Sequence, residues 1–290
     1  LPIGGYCAMG EDEESDDPRA FPNQNLWKRL AILCAGSFMN FLLGIVLIVI
    51  MYSGAEAFRA PIIDDFLDGC AYNSADAFQA GDEFYSIDGN RIYLISDVSM
   101  FLERGNGVYD IVMLRDGQKV EFNDMKLVPT IESEQGLKYG FVWGIEKATF
   151  SVKSEYVWNT AKEFSRLVWL GLGDLIHGAV GVDEMAGPVG IVDMMNEVGS
   201  SAASTADAVY SMLYFSAFIA INLAIMNMLP IPALDGGRVF FMIVTVIFEA
   251  ITKRKPDPKY EGYIHAGGMV LLLLLMGFIM YNDIARLITG

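Results

Sequence analysis

Three long runs of apolar residues carry no charged side chain, and nothing else in the chain limits its fold as strongly. The first, AILCAGSFMNFLLGIVLIVIMYSGA, lies between Arg29 and Glu56; the second goes from Ala208 to Leu234 and the third from Gly262 to Asn282. About 20 apolar residues, rising roughly 1.5 Å each in a helix, cross a hydrocarbon core about 30 Å thick. Each run is long enough, so the chain reads as a polytopic α-helical membrane protein. The competing arrangement buries all three in a soluble globule, and 290 residues offer too little else to cover them. Composition agrees, with 53% hydrophobic and 19% charged residues. A formal net charge of -16, without a cluster of Lys and Arg, excludes a nucleic-acid surface. Cys7, Cys34 and Cys70 are too scattered for a disulfide framework or a thiolate zinc site.

Basic residues beside spans set orientation. Lys28 and Arg29 precede the first run, and Lys253, Arg254 and Lys255 stand between the second and third, so both places are expected in the cytoplasm. The stretch from about Ser53 to Ala206 then lies outside. The acidic run Glu11 to Asp17 falls on the cytoplasmic side and reads as a solvated loop.

The outside stretch has a different pattern. From Ile62 to Pro129 short strand-like runs are broken by turn residues, Asp88-Gly89-Asn90 and then Asp116-Gly117 between YDIVMLR and KVEF. The order AGDEFYSIDGNRI, a helix over DVSMFLERG and the hairpin VYDIVMLRDGQKVEF resembles a PDZ domain of the bacterial protease-associated type. Such domains bind extended peptides by adding a strand at a sheet edge. A generic β spacer is the alternative. From Glu155 to His177, apolar residues at helical spacing (Phe164, Leu167, Val168, Leu170, Leu172, Leu175) predict an amphipathic helix, packed on its neighbours or lying at the membrane surface.

Chemistry concentrates in the second run, at NMLPIPALDGGR. Pro230 and Pro232 remove helix donors and Gly236-Gly237 loosens the backbone after them, so the helix is expected to unwind from Pro230 to Gly237. Broken backbone at membrane depth must line a cavity. A carboxylate there costs about 2.5 to 3.5 kcal/mol on insertion scales, which marks Asp235 as functional, with a metal, a proton path or a basic partner as its reason. Pairing with Arg238 is the plain alternative, and it leaves the prolines and glycines unexplained. A transporter would show a second broken helix in the other half of the chain, and the first run has none.

The NxxPxxxLDGG pattern resembles the second metal motif of the site-2 protease family (peptidase M50), the bacterial regulated intramembrane zinc metalloproteases. LPIGGYCAM is similar to a membrane-associated β loop of that family, and FPNQNLWKRLAILCAGSFMN to the segment entering its next span, with Trp27, Arg29, Ala35, Gly36 and Asn40 matching. Ser37 stands where the family usually has Pro. GPVGI at 187–191 and the terminal YIHAGGMVLLLLLMGFIMYNDIARL are also family-like. The resemblance implies zinc as cofactor, Asp235 as its carboxylate ligand, and Asn227 with Gly4, Gly5 and Tyr6 as groups that hold substrate. Pro230, Pro232, Gly236, Gly237 and Asn40 are then structural. It implies single-span membrane proteins or peptides as substrates, the lipid bilayer as surroundings, and the bacterial cytoplasmic membrane as location.

The implied order is a β loop and cytoplasmic acidic loop in 1–29, a transmembrane helix in 30–55, a PDZ-like domain in 56–130, and a connector with the amphipathic helix and GPVGI in 131–206. A broken transmembrane helix comes next in 207–252, then a cytoplasmic loop in 253–261 and a last transmembrane helix in 262–290. That makes three spans, where the family has four, with an inserted extracytoplasmic β-rich domain.

Catalytic zinc takes three protein ligands, commonly two His from H-E-x-x-H and one carboxylate, with the Glu of that motif as general base. These 290 residues contain no H-E-x-x-H; the histidines are His177 and His265, expected on opposite sides of the membrane. His265 reads as an interfacial helix residue and His177 as a surface residue of the outside domain. In the family the H-E-x-x-H motif lies on a helix just upstream of the G-G-Y segment. The expectation is therefore a piece of an intramembrane zinc endopeptidase lacking that helix, with no catalytic residue of its own and inactive alone. The alternative is a membrane-tethered PDZ protein that binds partners without catalysis.

Overall fold

The computed structural model describes residues 17–74, 77–133, 136–181, 185–202, 204–253 and 258–289. In chain order its elements are α1 (Leu26–Ser53), β1 (Ala57–Phe66), β2 (Glu83–Ile87), β3 (Asn90–Arg91), α2 (Ile95–Arg104), β4 (Val108–Arg115), β5 (Gln118–Lys126), β6 (Ile131–Ser133), β7 (Gly136–Lys138) and β8 (Phe141–Lys147). Five helices complete it: α3 (Phe150–His177), α4 (Pro188–Ser200), α5 (Thr205–Asn227), α6 (Asp235–Thr252) and α7 (Pro258–Thr289). The chain divides into two compact units, one of residues 48–163 and one combining 1–47 with 164–290.

Among the described residues three helices are long and apolar enough to cross a membrane, Leu26–Ser53, Thr205–Asn227 and Lys259–Ile288. They arise from the three uncharged runs. On α7 the side chains of Met269, Leu271 and Leu274 stand exposed, an apolar surface that suits lipid and not water. Where α1 and α5 meet, Gly44 gives the room: a Cβ there would lie 2.5 Å from the Ile221 side chain and 3.2 Å from the Ala217 oxygen. Small residues at such crossings let helix backbones approach in an apolar solvent.

The 48–163 unit is built on an antiparallel sheet of order β5-β4-β2-β1-β8, with β3 added to β2 and a separate β6-β7 pair. The expected turns form. Asp88-Gly89 and Asp116-Gly117 all have positive φ, at 48°, 76°, 51° and 77°, as two-residue hairpin turns require. In β4 the alternation puts Tyr109, Ile111 and Met113 inward. α2 covers this face with Val98, Phe101 and Leu102. At the centre Phe78 meets Phe84 and Phe141 at ring distances of 5.7 Å each, and Phe84 meets Trp143 at 5.8 Å. Phe141 and Trp143 come from β8, so the sheet draws its outer strand from beyond residue 130.

An ion pair lies inside this unit. The Asp82 side chain is 0% exposed and accepts from Arg115 Nε at 2.8 Å and Nη2 at 2.7 Å, a two-pronged contact. The Gln79 N–H donates to the same carboxylate at 2.8 Å, and Arg115 Nη2 also donates to the Ala77 oxygen at 2.9 Å. Bonding to Asp82 raises the Arg115 guanidinium above its ordinary pKa, against some desolvation.

Candidate metal and substrate site

α5 ends at Asn227, and the chain then turns back on itself before α6 resumes at Asp235. The prolines explain why the ladder stops, since neither can donate. Short local bonds replace it: Leu229 N–H to Met226 O at 3.1 Å, Ile231 N–H to Leu229 O at 2.7 Å and Leu234 N–H to Ile231 O at 3.2 Å. Ala233 sits at φ 79°, a left-handed conformation that costs a residue with a Cβ about 1 to 2 kcal/mol and so needs support from its surroundings.

The expected unwinding through Gly237 is corrected here: the break covers 228–234, and Gly236 and Gly237 are helical. Their role is close approach. A Cβ at Gly236 would overlap the Met228 and Leu229 carbonyls, and one at Gly237 would overlap the Ile231 oxygen, so the break lies directly on the first turn of α6. Gly268 of α7 does the same from another side, with a Cβ there falling 2.5 Å from Pro232 Cβ.

His265 completes the support. Its Nδ1 accepts from the Ala233 N–H at 3.0 Å, which places the ring proton on Nε2 and ties α7 to the strained residue. The ring packs edge-on to Phe241 at 5.4 Å, and Glu261 Oε1 lies 3.9 Å from Nε2. The sequence alone reads His265 as an interfacial residue and misses this role; the Gly267-Gly268 pair beside it is the signal of a close backbone crossing. His177 is exposed at the end of α3, its Nδ1 2.7 Å from the Gly173 oxygen.

Asp235 opens α6, half-buried, and a Cβ at Gly36 of α1 would come within 3.7 Å of its Oδ2. Gly36, Asn40 and Gly44 recur at four-residue spacing and so share one face of α1. The structure thus brings together Asp235, Pro230, Pro232, Gly236, Gly237 and the Gly36 position, with Asn227 half-buried at the edge of the break. Gly4, Gly5 and Tyr6 lie outside the described residues.

A second polar anchor, unforeseen from sequence, lies at the start of α4. Asp283 of α7 is 3% exposed and accepts from the N–H groups of Gly187, at 3.0 Å, and Gly190, at 2.8 Å. A carboxylate is well placed at a helix N-terminus, whose first N–H groups lack partners. The glycines of GPVGI let it in: a Cβ at Gly187 would be 2.8 Å from Asp283 Oδ2.

Residues 1–275 match the family model for peptidase family M50. The chain belongs to that family. A Clostridium acetobutylicum protein is 31% identical to it over 98% of this chain and 80% of its own length. The zinc metalloprotease RasP of Bacillus licheniformis is 31% identical, and the regulator of sigma-W protease RasP of Bacillus subtilis 29% identical, each over 93% of this chain. The chain spans 62% of the length of both. It is thus a membrane-spanning member of a zinc metalloprotease family, with zinc as the family cofactor.

Whether zinc fits these residues can be tested on the donors. Among the described residues no group of three His, Cys, Asp or Glu is placed to hold a metal ion. One His265 nitrogen is already committed to Ala233, and Asp235 is the carboxylate that the motif itself offers. One carboxylate does not make a zinc site.

Proposed function

We propose that these residues carry the carboxylate side of a zinc endopeptidase that performs regulated intramembrane proteolysis of single-span membrane proteins, and that its two imidazoles and general base belong to an H-E-x-x-H helix outside them. The observation that supports this most is the helix break at 228–234, which opens α6 on Asp235 against the Gly36 face of α1. Membrane interiors tolerate such backbone only where protein buries it or it lines a water-filled cavity, and hydrolysis in lipid needs a cavity for water. A complete ligand set would give zinc the power to polarise a peptide carbonyl and to activate water. The chain's own contribution is to fix one ligand, Asp235, by backbone packing, and to offer Asn227 and the unwound segment to an extended peptide.

The sheet unit, read as a PDZ-like domain on the outer face of a bacterial cytoplasmic membrane, would screen substrates by strand addition at the outer edge of β5 or β8. A second reading, a tethered peptide-binding protein without catalysis, rests on the edge strands β5 and β8 of the same sheet.

One experiment separates them. The 290-residue chain is compared with a form carrying an upstream H-E-x-x-H helix, measuring zinc content and cleavage of a model single-span substrate. The longer form is expected to bind one zinc and cleave, the shorter to do neither, and Asp235→Asn to cost most of the activity. Stoichiometric zinc in the short form, or full activity with Asp235→Asn, refutes the ligand assignment.

A further inference from the structure

Three cations of the sheet unit stack on two tyrosine rings. β2 pairs with β4 through a register shift between Phe84 and Ser86, so Tyr85 is the extra residue of a bulge, a device that re-aims a side chain. The Arg91 guanidinium of β3 lies 3.6 Å from the centre of the Tyr85 ring and donates to the Tyr85 backbone oxygen at 2.9 Å. Lys119 Nζ of β5 lies 4.0 Å from the centre of the same ring. Arg91 also reaches the Tyr93 ring at 5.8 Å, and Lys162 Nζ of α3 ends the row 4.1 Å from that ring. Among the described residues none of the three cations pairs with a carboxylate. Lys162 donates to the Asn159 amide oxygen at 3.1 Å, and the Asp97 carboxylate accepts the backbone N–H groups of Tyr93 and Leu94. The chain has 36 acids and 20 bases, so a row of cations without a carboxylate goes against its composition. Like charges sharing a ring repel, and an anion set among them removes that cost. The rings leave room for one, since a stacked guanidinium keeps its edge free and an ammonium its other hydrogens.

We propose that this row binds the phosphate of an anionic phospholipid at the membrane surface where α1 ends. Position chooses this occupant. The Thr160 and Tyr52 hydroxyls share a hydrogen bond of 2.9 Å, and Lys153 Nζ donates to the Ser53 oxygen at 2.7 Å, so this part of α3 lies against the end of a membrane-crossing helix. Thr160 faces α1; Trp158 and Lys162, two residues to either side of it, share the opposite face of α3 one turn apart. The Trp158 side chain is large, apolar and 54% exposed. A Trp ring beside a Lys suits the lipid boundary, the ring among the upper acyl chains and the ammonium among the phosphates. A soluble acidic peptide would be served by the charges alone, and it gives no reason for an exposed ring at the end of a span. Within the row Arg91 offers the forked donor that phosphate prefers, and Lys162 a point charge. Lys119 is the weakest member, because Glu121 lies two residues along β5 on the same face. A sheet unit tethered in this way is held to the membrane whatever reaction the chain takes part in.

Trp158 supplies the readout. With Trp27, Trp143 and Trp169 replaced by Phe it is the sole tryptophan of the 290-residue protein. The protein is placed in vesicles of phosphatidylcholine with a rising fraction of phosphatidylglycerol, and quenching of Trp158 is measured with bromine carried on the acyl chains of one lipid or of the other. The relative association constant of the two lipids follows from the pair of curves. Phosphatidylglycerol is expected to be preferred about 10-fold or more at 0.1 M salt, and less at 0.5 M because salt screens the charges. Arg91→Gln and Lys162→Gln should each lower the preference by about 5-fold, the worth of one cation near an anionic surface, and together abolish it; Lys119→Gln should cost less. Arg91→Lys keeps the charge and should retain most of the preference, which separates loss of charge from loss of fold. Equal quenching by the two brominated lipids overturns the proposal, as does a double variant with the parent's preference. Quenching of Trp158 by aqueous iodide and by neither lipid overturns it as well. Loss of the preference on adding 10 mM inorganic phosphate assigns the row to a free anion, and loss on adding a soluble Glu-rich peptide assigns it to an acidic peptide; either result overturns the lipid assignment.

Discussion

Replacing Arg115 by Met strips the buried Asp82 carboxylate of both its side-chain donors. The Arg contributes two bonds of 2.8 and 2.7 Å, and what remains is the Gln79 N–H at 2.8 Å. Asp82 is fully buried, so water does not replace the lost donors without opening the sheet unit. Breaking such a pair from one side costs about 3 to 5 kcal/mol, because a buried charge is left uncompensated. Domains this small have only about 5 to 15 kcal/mol in total, and urea slopes run about 1 to 3 kcal/mol per molar. The urea midpoint of an excised 56–163 unit, followed by Trp143 and Trp158 fluorescence, is therefore expected to fall by roughly 2 M. The double variant Asp82→Leu with Arg115→Met removes the charge as well and should recover most of the loss, since apolar replacement of a buried pair is often close to neutral. The raised guanidinium contributes stability that is present below its ordinary value and lost only as pH rises through the folded one. No alkaline loss from this pair is therefore expected at workable pH. A single variant within 1 kcal/mol of the parent, or a double variant no better than the single, would refute the reasoning.

Three further outcomes are expected. Gly236→Ala or Gly237→Ala should lower the melting temperature of the detergent-solubilised protein, by an overpacking cost of about 1 to 3 kcal/mol or more, whereas Gly262→Ala, which meets nothing within 4 Å, should not. Asp283→Leu should speed hydrogen exchange in the first turn of α4 by about 10-fold or more, with Asp283→Asn milder because its carbonyl still accepts. Burial pushes the Tyr156 hydroxyl up to about 12, from an unfolded value near 10, so the unfolded chain releases this proton first and stability falls as pH rises between those values. Urea midpoints at pH 9, 10 and 11 check this, and Tyr156→Phe should flatten the decline.

What the sequence made legible is what short-range physics dictates. Length without charge was enough for α1, α5 and α7, and Asp-Gly pairs announced both hairpins because few other residues accept positive φ at two successive positions. Pro230 and Pro232 located the break for the same local reason. The meaning of Gly236 and Gly237 was harder, because looseness and close approach both call for glycine and only the packed neighbour decides. The left-handed Ala233 was invisible, since its support comes from His265, 32 residues away, and the Asp283 contacts span more than 90. β8 was missed as a partner of β1 because antiparallel pairing across so long a separation leaves no periodic trace.

The Asp283 clasp also bears on the order in which the protein can be assembled. Gly187 and Gly190 precede α5 and α6, yet the carboxylate that satisfies them is on α7. A ribosome delivers α4 first, so its leading N–H groups wait for this carboxylate until the last of these helices has been made. The clasp then closes a ring of chain that contains both halves of the broken helix. Seating α4 is thus a late event that reports completion of α7, and a nascent chain stalled before residue 283 would hold the Asp235 segment inside an unclosed ring.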